Sequence, residues 1–138
     1  MSKIDSGMEQ AMAARLALVV EQYDRQCAEM VRTWLDMDLY ATVSTLVEEM
    51  RRCCECLPRL SLPWVAFLIS HSELVFSLWR AGSGNSCSPV VQACARDHST
   101  MLRNLRQGCA RVCAGDQGGA ASPLPRRAAP QPSPRSKA

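Results

Sequence analysis

Apolar residues recur along the first 57 positions at the spacing of a packed helix face. Leu16, Val20, Tyr23, Cys27, Met30 and Trp34 follow one another at intervals of 4, 3, 4, 3 and 4. Leu39, Val43, Leu46, Met50, Cys53 and Leu57 repeat the same intervals. This alternation keeps one seam of a 3.6-residue helix turned toward neighbouring helices. The two seams are five residues out of phase, across positions 34–39. A turn there, with Asp36 or Asp38 capping a second helix, is preferred over one helix of about 50 residues, which a single domain rarely builds. Helices are expected over about 6–35 and 38–57, and Pro58 ends the second.

The segment SLPWVAFLISHSELVFSLWRAG, from Ser61 to Gly82, has a different pattern. Ser61 can cap a helix whose early Pro63 lacks only an amide that would have no intrahelical partner. From Trp64 to Trp79 apolar residues fall on nearly every side, so the helix expected over 62–80 must be buried in a core, a partner or lipid. Ala81-Gly82-Ser83-Gly84-Asn85-Ser86 reads as a loop. Ser88 then caps a fourth helix, 89–113, with Pro89 at its first position. Its face is Val91, Cys94, His98, Met101, Leu105 and Val112, with Gly108 at the skipped position. Beyond Asp116 the chain turns to Gly, Ala, Pro, Ser and Arg with almost nothing apolar to bury. The expectation is one all-α domain, 1–115, a three- or four-helix bundle with the third helix covered by the rest, followed by a disordered Pro/Arg-rich tail, 116–138.

Charge sharpens this arrangement. The net charge of +3 lies wholly in the tail, since residues 1–113 hold 12 acidic and 12 basic side chains. Within that neutral domain the span 5–57 is net −5 and the fourth helix net +3, which favours packing the fourth helix on the first two. The tail carries four basic residues over 12 positions, too sparse for a nucleic-acid footprint, so no nucleic-acid partner is expected. Ser122-Pro123 and Ser133-Pro134 are proline-directed sites near arginines, which makes Ser122 and Ser133 candidate phosphorylation sites.

Eight cysteines without a secretory leader read as reduced thiols in the cytoplasm or nucleus. Arg51-Arg52-Cys53-Cys54-Glu55-Cys56 sets three thiols beside two arginines, the setting for reversible acylation at Cys53, Cys54 and Cys56. Cys94/His98 and Cys109/Cys113 are i,i+4 pairs, but about 16 Å of helix rise separates them, so they cannot share one ion. No C-x2-C knuckle is present, and no metal or other cofactor is expected. His71 has Glu73 two residues on, and His98 directly follows Asp97, neighbours that face elsewhere on a helix. With no phosphate loop, nucleophile elbow or HExxH, no enzymatic activity and no catalytic residue are expected. A membrane-spanning third helix is disfavoured by Ser70, His71, Ser72 and Glu73 at its middle.

Narrow seams and an all-round apolar helix leave surplus hydrophobic surface, the mark of a partner site. The expected function is a non-enzymatic helical scaffold or adaptor that self-associates or binds partner helices. Its candidate anchors are Trp34, Trp64, Phe67, Leu68, Leu74, Val75, Leu78 and Trp79. The alternative is a membrane-peripheral protein held by acylated cysteines and the helix 62–80.

Overall fold

Asp36 decides the break between the two N-terminal seams. Its carboxylate accepts the Asp38 and Leu39 amides at 2.9 and 3.1 Å, an N-cap that starts a second helix. In the computed structural model, which describes residues 3–33, 36–82 and 88–115, the chain forms four α-helices. These are α1 (Lys3–Thr33), α2 (Met37–Glu55), α3 (Ser61–Ala81) and α4 (Pro89–Cys113), with a short 3-10 turn, Pro58–Leu60, before α3. No strand occurs among the described residues, and the fold is an all-α helical bundle. Trp34, residues 83–87 of the expected loop, and the expected tail with Ser122 and Ser133 lie outside the described residues.

Two element boundaries differ from expectation. α2 stops at Glu55 because the amides of Cys56 and Leu57 turn back to the Cys53 and Cys54 carbonyls in a tighter turn. Ser61 does not cap α3. Its hydroxyl donates backward to the Pro58 carbonyl at 2.8 Å, and α3 runs straight on from the 3-10 turn. At the other end Gly82 adopts φ +80°, a left-handed conformation that closes α3 without the strain a side chain would bring. Ser88 caps α4 by accepting the Val91 amide at 3.2 Å, with Pro89 behind it.

The seams meet in one core. α1 contributes Leu16, Val20, Tyr23, Cys27 and Met30, all buried, and α2 contributes Val43, Leu46, Met50 and Cys53, followed by Leu57. Each fully buried side chain of this size stabilises the fold by about 1.5–3 kcal/mol before chain entropy is subtracted. α1 packs against α2 and α4, while α3 lies along α4 and touches α2 only sparsely. The acidic-to-basic attraction is realised between α4 and α1: Arg106 bonds Glu21 at 3.0 Å and Asp24 at 2.8 Å. Gly108 sits where α4 meets the 3-10 turn, and a methyl group there would come 2.7 Å from Leu60. The third helix is therefore at the margin of the bundle and not at its centre. Four helices need only one face of each for a shared core, and α3 supplies one face and keeps another.

Removing the α2 cap tests how far this local signal matters. Asp36→Ala should lower unfolding free energy by about 1 kcal/mol, read as a shifted urea midpoint with unchanged slope. An unshifted midpoint would mean that packing alone sets the turn.

Candidate functional site

α3 divides its apolar residues between two opposite faces. Trp64, Phe67, Leu74, Val75 and Leu78 point inward and are buried, so these five expected anchors are covered by the chain's own helices. Ser70 and Ser77 share that inner face and return their hydroxyls to the Phe67 and Leu74 carbonyls, which lets small buried polar groups lie against the core. Leu68 is half-buried at the edge of this face. On the opposite side stand Leu62, Val65, Ile69, Phe76 and Trp79, exposed at 83, 49, 55, 60 and 52%. With Ser72 they occupy positions 62, 65, 69, 72, 76 and 79, steps of 3, 4, 3, 4 and 3. That is a second heptad seam, turned to solvent. Of the expected anchors, Trp79 alone lies on it. The spacing was present in the sequence, but an all-round apolar helix gives no periodicity that tells one face from the other.

Grooves flank this seam. Between α2 and α3 a groove of about 270 Å³ is lined by Tyr40, His71, Ser72, Val75, Phe76 and Trp79. On the other side of Phe76, a wider groove of about 670 Å³ has Ala81, Val90 and Cys94 as apolar walls and Glu73 and Arg80 as charges. The Arg80 guanidinium lies over the Phe76 ring at 5.5 Å, a cation–π contact that holds both side chains at the surface. The stretch Pro58–Ala81 is long and apolar enough to cross a membrane by length and composition, and it is the one such stretch among the described residues.

Behind the seam lies a polar node that the sequence did not assemble, buried at Tyr23 and His98 and half-buried at His71, on the groove wall. The Tyr23 hydroxyl from α1 meets His71 Nδ1 of α3 at 2.8 Å and His98 Nε2 of α4 at 2.6 Å. A hydroxyl has one proton, so Tyr23 donates to one imidazole and accepts an N–H from the other. Phe67 packs edge-on against Tyr23 and stacks on His71. Burial pushes both histidines down to about 4, with the neighbouring His71 adding to the effect at His98 and Asp24 opposing it. Burial likewise drives the Tyr23 phenol well above its ordinary value. At neutral pH the node is an uncharged, satisfied network that ties three helices together. The signal was a tyrosine and a histidine on seam positions, Tyr23 and His98, where apolar residues are the rule.

The cysteine cluster separates by depth. Cys53 and Cys54 are buried, and desolvation raises both thiols, Cys54 to about 12. Cys109 lies in the same region and is also raised to about 12. Burial withholds the Cys53 and Cys54 thiols from solvent in the folded chain, whereas Cys56 is exposed. His98 bonds the Tyr23 hydroxyl, and Cys109 is buried in the core. Among the described residues no group of three or more His, Cys, Asp or Glu is placed to hold a metal ion. Comparison with protein-family models, curated proteins and solved structures finds no match.

Two measurements test this description. Each histidine binds a proton near 6.5 when unfolded but only near 4 when folded, so the unfolded state takes up more protons as pH falls between those values. The histidine contribution to stability should therefore be constant between about pH 7 and 8, fall from about 6.5 toward 4, and level off below, seen in urea midpoints across that range. Tyr23→Phe should cost about 1–3 kcal/mol at pH 7 by leaving an imidazole without its buried partner. A midpoint independent of pH in both proteins would overturn the node. In brief alkylation followed by mass spectrometry, Cys56 and Cys113 should react first, and Cys27, Cys53, Cys54 and Cys109 only with unfolding. Equal labelling of all six would contradict the burial.

Proposed function

We propose that this chain is a non-enzymatic helical scaffold or adaptor subunit that binds another helix along the outer face of α3. The observation that carries the reading is the solvent-turned heptad seam of Leu62, Val65, Ile69, Phe76 and Trp79. Knobs at this spacing fit the holes of a facing helix, and helix-in-groove recognition uses the same i, i+3, i+7 anchors. Scattered exposed hydrophobes need no explanation, but five along one line of one helix do. Phe76 and Trp79 are the anchors of choice, since large aromatics that become buried dominate the energetics of an interface. The grooves on either side of Phe76 would receive side chains of the partner.

The node supports a structural role for both histidines, because each imidazole is tied to the buried Tyr23 hydroxyl. A reducing compartment, cytoplasm or nucleus, fits thiols that are folded into the core. Of the three thiols named for the membrane-peripheral alternative, Cys56 is the exposed one.

Phe76→Glu and Trp79→Glu test the reading without touching the core. Both residues are half-exposed or more, so helicity by circular dichroism should stay at the wild-type level. Association measured by light scattering should weaken by about 30-fold or more for each, the effect of losing an anchor worth about 2 kcal/mol. Phe67→Glu, by contrast, should unfold the bundle. Association that persists in both seam variants would contradict the proposal.

A further inference from the structure

The outer seam of α3 has a size pattern that complements itself. From its N-terminal end it presents Leu62 and Val65, then Ile69 and Ser72, then Phe76 and Trp79. Two copies crossing antiparallel about a two-fold axis between Ile69 and Ser72 set Leu62 against Trp79, Val65 against Phe76, and Ile69 against Ser72. Each bulky ring then meets a smaller side chain, and the six layers differ less in size than those of a parallel pair would. A parallel pair would stack tryptophan on tryptophan and phenylalanine on phenylalanine at one end and leave serine facing serine in the middle. Antiparallel pairing also aligns opposite ends of the helix dipoles.

Resting on the helix-binding reading above, we propose that the occupant of this seam is a second copy of the chain, docked as an antiparallel α3–α3 pair. The area is sufficient. From their fractional exposures, the five apolar residues expose roughly 600 Å² per copy, so covering all of it on both would bury about 1,200 Å², the lower bound of a standard protein interface. Backbone, Ser72 and the edges of the two grooves add to it. Charge does not oppose it: residues 1–113 are neutral, and α3 carries one Glu73 and one Arg80. That balance also disfavours an anionic lipid surface, which selects a rim of several lysines or arginines. Such a two-fold contact is isologous and closes at two copies.

The test is a self-complementary charge exchange in the full chain, followed by sedimentation equilibrium and circular dichroism. Wild type should have twice the 15.2 kDa chain mass. Val65→Glu alone and Phe76→Lys alone should each weaken the dimer at least about 30-fold, like other losses of an interface anchor. The double variant should recover the dimer, since position 65 faces position 76 of the other copy twice over. A helical wild type that stays monomeric overturns the self-pairing, as does a double variant that stays monomeric. If that monomer binds a helical peptide or phosphatidylserine vesicles through the seam, self-pairing fails; the peptide result leaves the helix-binding reading standing, and the vesicle result does not. Single variants that dimerise like wild type defeat both.

Discussion

A helix that is apolar on every side cannot be satisfied by a bundle that covers one side of it. α3 imposes this constraint, and the remaining elements follow from how it is met. α4 takes its length, the 3-10 turn and Gly108 fit around its first turns, and α1 reaches it through Tyr23. α2 approaches only at the margin and leaves a groove. The inner face is thus closed by the chain itself, and the outer face stays an unburied heptad seam. That much apolar surface contributes nothing to stability while it stays in water, and covering it would add the hydrophobic free energy.

The polar node explains why the inner face sits in one register. A core of leucines, valines and thiols tolerates sliding and repacking, because apolar contacts have no direction. A tyrosine hydroxyl held between two imidazoles has direction, and shifting any of the three helices by one turn would leave buried polar atoms unpaired. The node therefore fixes how α3 is rotated about its own axis. That rotation decides that Phe76 and Trp79 face outward while Phe67 and Trp64 face inward.

Much of this was legible in the sequence where periodicity was clean. The α1 and α2 seams, the Asp36 break and the Ser88–Pro89 start of α4 all follow from spacing and capping rules, and every seam residue from Leu16 to Met30 is buried. Where periodicity vanished, the reading failed in a definite way. Trp64, Phe67, Leu74, Val75 and Leu78 look like partner anchors in a list of apolar residues and are core. Val65, Ile69 and Phe76 were passed over and are on the surface. Cys53 and Cys54 look like a modification site because they stand beside arginines, yet their helix turns both inward and only Cys56 outward. The node was out of reach for another reason. Tyr23, His71 and His98 come from three helices, and only the tertiary packing brings them within hydrogen-bond distance.

The most direct test of the central claim, that the outer face of α3 is covered when the protein is at work, is hydroxyl-radical footprinting at micromolar concentration. Phe76 and Trp79 should oxidise far more slowly than Met8, although all three are exposed in the single chain, and should gain reactivity on dilution. Oxidation of Phe76 and Trp79 at the rates expected for open side chains, unchanged by dilution, would contradict the account.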